Sequence, residues 1–136
     1  METTGLNYWA ILVSALAYMM LGAIWYSPVL FGNSWLRGIG KTKEQVRKDF
    51  KSINFLLAII MSFIAAYGIA RVMLWMDSTT VADGIMVSVL IGICFVFTTM
   101  SVNDIFENRP GSLTFINVLY HLMGFIVIGV IVGAWR

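Results

Sequence analysis

The amino-acid sequence predicts an all-α fold: a polytopic membrane protein whose four transmembrane helices form one bundle. Of its 136 residues, 60% are hydrophobic and 12% are charged, a composition that leaves no separate water-soluble domain. Eleven of the sixteen charged residues lie in two stretches, 37–51 and 104–109, and the remainder of the chain divides into four long apolar blocks. In lipid these blocks must satisfy their own backbone hydrogen bonds, and they lack the alternation of barrel strands, so helices are expected.

Each apolar block is long enough to cross a bilayer once, because about 20 apolar residues in a helix span its hydrocarbon core. We predict the crossings near residues 8–26, 53–75, 82–102 and 113–135. Residues 1–136 then form a single domain. No Lys or Arg precedes the first block, which favours a retained helix over a cleaved signal, and Pro28 ends that helix.

The connection between the first two crossings is expected to hold a short amphipathic helix at the cytoplasmic membrane surface. Thr42 and Gln45 have the spacing of a capping box, which opens such a helix. Before the last crossing, Pro110 and Gly111 predict a tight turn, and Ser112 is the expected N-cap. Because the last two inter-crossing connections are short, the helices that they join are expected to be antiparallel neighbours.

Basic residues close to the helix ends predict the orientation in the membrane. Seven of the nine Lys and Arg residues fall on one side, namely Arg37, Lys41, Lys43, Arg47, Lys48, Lys51 and Arg109, and the other two are Arg71 and Arg136. Both termini are therefore expected outside, with the connections 28–52 and 103–111 in the cytoplasm. The lipid bilayer is the expected partner. The basic stretch 37–51 is a candidate contact for anionic headgroups, although its role in orientation explains it as well. Nothing beyond charge suggests nucleic-acid binding.

Each predicted helix carries a stripe of small or polar residues at four-residue steps. The stripes are Ser14, Tyr18, Gly22 and Tyr26; Asn54, Ala58, Ser62, Ala66 and Ala70; Gly84, Ser88 and Gly92; and Asn117, His121, Phe125, Gly129 and Gly133. Lipid supplies no hydrophobic drive between helices, so close packing through small residues must hold them together. The stripes are expected to face the bundle interior, and a homo-oligomer would use the same kind of surface.

His121 is the candidate for a functional polar group inside the membrane. At about 1.5 Å of rise per residue, it should lie roughly 13 Å inside the cytoplasmic boundary, near the bilayer midplane. The same depth on the other helices reaches Tyr18, Ser62 and Cys94, and Asn117 lies one turn from His121. An ionisable residue is costly there and is a functional-site hypothesis. The alternatives are an interhelical hydrogen bond to Tyr18 or Ser62, a proton or solute pathway, and metal binding or catalysis.

One His and one Cys are too few ligands for a zinc site, so no metal and no cofactor are expected. A second polar cluster ends the third predicted helix: Asn103, Asp104, Glu107, Asn108 and Arg109. Its two carboxylates beside an Arg could bind a cation or receive a substrate. The alternative is a solvated helix end with a salt bridge. A depth difference of about 10 Å or more separates this cluster from His121, so the two are not expected to act as one catalytic pair.

Several short motifs carry a resemblance to a known family. The segment Trp25-Tyr26-Ser27-Pro28 is followed by Phe31-Gly32 and Trp35, then by Phe106-Glu107-Asn108-Arg109-Pro110 and by Asn117 to His121. In these motifs the chain resembles DUF1761, a family of small prokaryotic membrane proteins of unknown function. The resemblance implies a four-helix protein of a prokaryotic cytoplasmic membrane and no established chemistry. The positions it brings forward are Trp25, Tyr26, Pro28, Phe31, Gly32, Trp35, Glu107, Arg109 and His121.

Three function hypotheses follow. The preferred one is a small oligomeric transporter or permeation module for a small solute or proton, with His121 or Glu107 as its polar group. The second is a structural or accessory membrane subunit that packs through the small-residue stripes. The third is a membrane enzyme on a lipid or apolar substrate, with Glu107 and Asp104 as acid and base. It ranks last because the sequence has no phosphate loop, nucleophile elbow, paired metal-binding motif or redox Cys pair.

Overall fold

The computed structural model describes residues 5–135, and within this range the chain folds into helices joined by short turns, without strands. The elements are α1 (Tyr8–Trp25), α2 (Gly32–Ile39), α3 (Lys43–Asp49), α4 (Ser52–Trp75), α5 (Val81–Ile91), a π-helical segment (Gly92–Phe97), α6 (Thr98–Phe106) and α7 (Gly111–Ala134). The predicted all-α fold is confirmed. Arg136, which counted toward the predicted orientation, and residues 1–4, which precede the first block, lie outside the described range.

Four helical passes are long and apolar enough to cross a membrane: α1, α4, the continuous pass from α5 to α6 (Val81–Phe106), and α7. The protein is therefore an integral membrane protein, as predicted. Because the passes alternate in direction, α2, α3 and the turn between α6 and α7 lie at the same end of the bundle. We call this the basic end, because it carries the basic residues of 37–51 and Arg109. The opposite end is called the far end.

The third pass is longer than the sequence predicted. Its helix continues to Phe106, so Asn103 and Asp104 lie in the helix, and the predicted connection 103–111 shrinks to residues 107–110. The predicted crossing near residues 82–102 lies within this helix, whose hydrogen bonds continue past the apolar block. The expected N-cap of the last helix was wrong. Pro110 occupies that position, and Ser112 lies in the first turn of α7.

The long connection at the basic end contains two short helices, where the sequence predicted one. α3 begins at the predicted capping box, in which Thr42 and Gln45 exchange side-chain and backbone hydrogen bonds. α2 was not predicted. It ends at Gly40, whose φ of 69° lies in the left-handed region that favours glycine. α2 packs on the start of α7, where Gly38 lies against Leu113.

α7 lies at the centre of the bundle, packed against α1 on one side and α5 on the other, while α4 packs mainly against α1. Only the half of α4 nearer the far end is covered, and its buried residues are Ser62, Ala66, Ile69, Ala70 and Met73. In the half nearer the basic end, residues 52–61 are exposed apart from the partly buried Ile59. The expectation that Asn54 and Ala58 face the interior was therefore wrong, because this half of α4 stands away from the other helices.

α5 and α7 approach closely because glycines face each other across their interface. A Cβ added to Gly84 or to Gly129 would overlap the backbone of the other. Beside them the Ser88 hydroxyl donates to the Phe125 carbonyl oxygen at 2.7 Å. The two further glycines whose Cβ positions are filled by the opposite helix are Gly92 and Gly133. Interhelical contact through small residues and a serine hydroxyl is the usual means of holding membrane helices together.

The π-helical segment determines which side of the third pass faces α7 near its end at Phe106. Asp104 lies twelve residues after Gly92, so in a continuous α-helix it would lie about 120° around the axis from it. A π turn accommodates one extra residue, which reduces that angle to about 20°. Gly92 contacts Leu122 of α7, and Asp104 contacts Thr114 of α7. The segment therefore keeps both halves of the pass facing the same neighbour.

Candidate functional site

The centre of the candidate site is a side-chain pair between α1 and α7. His121 is the eleventh residue of the 24 in α7, which places it near the middle of that pass. Its Nδ1 is hydrogen-bonded to the Tyr18 hydroxyl. The Tyr18 ring is buried and stacks on Tyr120, with ring centroids 5.1 Å apart, and Phe125 lies edge-on to it at 6.0 Å. The pair is thus enclosed by aromatic rings from both helices.

The hydrogen bond to Tyr18 favours one tautomer of His121. We assign the Tyr18 hydroxyl, which has a single hydrogen, as the donor to Nδ1. A neutral imidazole then has its own hydrogen on Nε2. Within residues 5–135 no protein group bonds to Nε2, and no fully buried side-chain nitrogen or oxygen lacks a partner. Nε2 is therefore not fully buried by the described residues, and in this tautomer it carries an N–H without a protein acceptor.

A second pair lies one turn nearer the basic end. The Tyr26 hydroxyl donates to Oδ1 of Asn117 at 2.8 Å, and the Tyr26 ring lies edge-on to Tyr120 with centroids 5.3 Å apart. A phenol with an ordinary pKa of about 10 is neutral at physiological pH, so Tyr26 can donate this hydrogen bond. Asn117, Tyr120 and His121 lie on one side of α7 and form a continuous polar and aromatic surface toward α1.

The turn after α1 is built by the motif residues that the sequence singled out. The Phe31 N–H donates to the Trp25 carbonyl at 3.0 Å, and the Gly32 N–H donates to the Ser27 carbonyl at 2.9 Å. A Cβ on Gly32 would overlap the backbone of this turn. Pro28 lies exposed at its tip. The turn folds the chain back so that α2 returns to the bundle.

Aromatic side chains of the same motif attach this turn to α7. The Trp25 ring packs on Phe31 with centroids 4.6 Å apart, and its Nε1 donates to the Ile116 carbonyl at 3.1 Å. Trp35 of α2 lies edge-on to Tyr26 at 5.4 Å. Tyr26 is the residue that binds Asn117, so the turn and the polar surface of α7 form one structural unit.

Two glycines make room for the tyrosine rings, and one of them was not predicted from the sequence. A Cβ on Gly124 would overlap the ring of Tyr18, and a Cβ on Gly22 would lie 2.8 Å from the Tyr120 hydroxyl. Gly22 was expected to pack between helices, whereas Gly124 and Tyr120 were not selected. Steps of four residues along α7 from Asn117 include neither Tyr120 nor Gly124. The spacing Asn117, Tyr120, Gly124, with steps of three and four, identifies the same face of a helix.

The two carboxylates near the end of α6, Asp104 and Glu107, lie in different environments. Asp104 is buried, and its Oδ2 accepts a hydrogen bond from the Thr114 hydroxyl at 2.6 Å. Glu107 is exposed and forms an ion pair with Arg109, whose Nε also lies 3.8 Å from Oδ1 of Asp104. Asn103 is exposed as well. The structure thus brings Asp104 to α7 through Thr114, a residue that sequence reasoning missed, and leaves Glu107 at the surface.

A family model described as "Protein of unknown function (DUF1761)" matches residues 9–133, nearly the whole chain. The chain belongs to the DUF1761 family. The expected resemblance is confirmed, and the matched range includes the aromatic turn, His121 and the Asp104 cluster. No curated protein and no solved structure matches the chain. The function of this DUF1761 protein is therefore argued from its own geometry.

Two residues at the predicted depth of His121 lie elsewhere in this DUF1761 protein. The Ser62 hydroxyl donates to the Ala58 carbonyl of its own helix at 2.8 Å. Cys94 is exposed on the π-helical segment. The expected mid-membrane polar layer thus consists of Tyr18 and His121, and the hydrogen bond to His121 comes from Tyr18. Over the described part of the chain, no group of three or more His, Cys, Asp or Glu residues could hold a metal ion.

Proposed function

We propose that this DUF1761 protein is a small membrane transport module in which a small polar solute or a proton reaches His121. The observation that carries the proposal is the state of the His121 ring. Tyr18 fixes its Nδ1 side, while its Nε2 side has no protein partner among the described residues and is not fully buried by them. A polar group maintained inside a membrane pass with one free N–H is suited to exchange a proton or to bind a solute that accepts a hydrogen bond.

The packing of α4 supports access to His121 from the basic end. Four residues of α7 lie within about 60° of one another around its axis, on the side that contacts Tyr18 and Tyr26: Asn117, His121, Ile128 and Val132. Ile128 and Val132 are buried in the core that α4 completes toward the far end. Nearer the basic end, residues 52–61 of α4 are exposed and stand away from this side of α7. The proposed path is thus open toward the basic end and closed beyond His121.

The orientation and the assembly belong to the same proposal. The excess of Lys and Arg at the basic end supports placing that end in the cytoplasm and both termini outside. Four helices enclose little volume on their own, and the exposed half of α4 includes the polar Asn54. A second copy of the chain packed on the face of this half that carries Asn54 would complete the walls of the path and leave the face of Ile53, Leu57 and Ile60 to lipid. The proposed functional form is therefore a homo-oligomer.

The geometry gives less support to an enzyme. A two-carboxylate mechanism requires both groups to face one substrate position. Asp104 accepts a hydrogen bond from Thr114, and Asp104 and Glu107 both lie against Arg109, so protein groups already occupy the two carboxylates.

The test of the proposed function is flux in proteoliposomes. Osmotic swelling with a panel of small polar solutes, together with an entrapped pH indicator, compares the wild type with His121→Ala. The matched control is Met123→Ala, which removes an exposed side chain from the same helix. We expect flux in the wild type and the control, and a loss of about tenfold or more in His121→Ala. Absence of protein-dependent flux, or equal flux in His121→Ala and the wild type, would contradict the proposed function.

A further inference from the structure

A cleft of about 310 Å³ lies at the basic end between the turn after α1, α2 and α3. Its apolar floor is formed by Trp35, Leu36, Val46 and Phe50, and the cations Lys43 and Arg47 stand at its edge. An adjoining cleft of about 530 Å³ shares Trp35, Val46 and Phe50 with the first. The second cleft continues to Asn54, at the start of α4. Together they form a route from the surface of α3 to the exposed half of α4.

The two cations on the first cleft have no anionic partner within the described chain. Lys43 and Arg47 are four residues apart on α3 and therefore share one face. Other basic side chains nearby are already paired: Lys41 binds Asp49 at 2.8 Å, and Arg109 binds Glu107. Two free positive charges above an apolar floor are complementary to a ligand that is anionic at one end and apolar at the other.

The surroundings of the cleft place it at the level of lipid headgroups. In the turn below it, Val29 is 88% exposed and Leu30 is also exposed. Beside it, an uninterrupted line of exposed apolar side chains runs along the first half of α4. The members of that line that share one face are Ile53, Leu57, Ile60 and Ile64. In a membrane such side chains contact acyl chains, so the cleft opens where an acyl chain and its phosphate meet.

We propose that this cleft binds the phosphate of an anionic phospholipid through Lys43 and Arg47, with an acyl chain lying along the first half of α4. This site is more specific than the attraction of a basic loop to a charged membrane. It assigns Lys43 and Arg47 to the lipid and excludes Lys48 and Lys51, which line neither cleft. A free phosphate ion would use the two cations but would leave the apolar floor and α4 uncovered.

The test is the lipid retained by the full-length protein. The wild type and variants are released from bilayers of phosphatidylglycerol and phosphatidylcholine in equal amounts, and native mass spectrometry measures the ratio of the two bound lipids. The test variant is Lys43→Gln with Arg47→Gln. The control is Lys48→Gln with Lys51→Gln, which removes the same charge from the same connection between α2 and α4. The charge-retaining variant Arg47→Lys and the cleft-filling variant Val46→Trp complete the set.

We expect the wild type and the control to retain phosphatidylglycerol preferentially, and the test variant to lose that preference by roughly fivefold for each cation removed. Arg47→Lys should keep the preference, and Val46→Trp should lose it with all charges present. Equal losses in the test variant and the control would assign the effect to diffuse charge and overturn the site. No loss in the test variant would also overturn it. Displacement of the lipid by millimolar inorganic phosphate would assign the site to free anions instead.

Discussion

The hydroxyl of Tyr18 and Nδ1 of His121 form a hydrogen bond that joins α1 to α7 near the middle of the bundle. We assign the only His of the chain the tautomer with its proton on Nε2, which has no protein acceptor among the described residues. The same bond lies within a stack of aromatic rings from Tyr18, Tyr120 and Phe125. This one contact therefore contributes to the packing of α1 on α7, orients the His121 ring and is central to the proposed activity.

Tyr18→Phe should destabilise the bundle by about 1 kcal/mol. The substitution removes the hydroxyl but keeps the ring and its stacking on Tyr120, so the lost term is one interhelical hydrogen bond inside the membrane. Unfolding in mixed micelles of mild detergent and dodecyl sulfate measures the change. Tyr8→Phe is the control, because Tyr8 is exposed at the far end. Equal stability of the two variants would show that the hydrogen bond contributes nothing.

Gly124→Ala should cost about 1–3 kcal/mol, because its new methyl group would overlap the Tyr18 ring and force that ring to shift. The control is Gly68→Ala, where the added Cβ meets no atom within 4 Å. There the substitution should be neutral or slightly stabilising, since Ala has the higher helix propensity. The same unfolding assay compares the two. A Gly124→Ala protein as stable as Gly68→Ala would mean that α1 and α7 do not approach as described.

Asp104 and Thr114 should show an interaction energy of about 0.5–2 kcal/mol in a double-mutant cycle. The hydroxyl of Thr114 donates to the buried Asp104 carboxylate at 2.6 Å, and such a bond to a charged acceptor is stronger than one between neutral groups. The variants are Asp104→Ala, Thr114→Val and their combination. A parallel cycle between Asn103 and Thr114 is the control, because Asn103 is exposed. Additive effects of Asp104→Ala and Thr114→Val would contradict the contact.

Deleting one residue from the π-helical segment should be tolerated better than deleting one from α5. Without Ile93 the segment can relax to an α-helix, and Asp104 still faces α7. Without Met86, the parts of the helix before and after the deletion rotate by about 100° relative to each other around the axis, so Gly84 or Ser88 loses its contact with α7. We expect the Met86 deletion to be less stable by about 2 kcal/mol or more, from overpacking and a lost interhelical hydrogen bond. The reverse order of stability would contradict the role assigned to the π turn.

The four passes were predictable from sequence because length and hydropathy determine a crossing almost by themselves. The contacts were less predictable. Each stripe of small residues has the period of a helix face. The period alone does not show how much of that face is covered by a neighbouring helix. Ser62, Ala66 and Ala70 are buried, whereas Asn54 and Ala58 on the same stripe are not. That difference depends on the angle at which α4 leaves the bundle, which is a tertiary property.

The candidate site was predicted in outline for a related reason. Counting residues from the membrane boundary placed His121 and Tyr18 at one depth, and the structure joins them. The same count reached Cys94, which is exposed on the other side of the third pass. The depth of a residue in the membrane depends on the helical rise per residue. The side of the helix on which the residue lies also depends on the π turn, which rotates the rest of the pass. No local sequence rule identified that turn, so neither the exposure of Cys94 nor the contact of Asp104 with Thr114 could be foreseen.

The central claim is that position 121 is reached by water from the basic end, and it can be measured without knowing the solute. His121→Cys is made in a Cys94→Ala background, which removes the only native cysteine. An impermeant thiol reagent is then applied to each face of oriented vesicles. Ile128→Cys is the control, since Ile128 lies in the same sector of α7 but is fully buried. We predict that position 121 reacts from the basic end alone and that position 128 does not react. Failure of position 121 to react from the basic end, or reaction from the far end alone, would contradict the account.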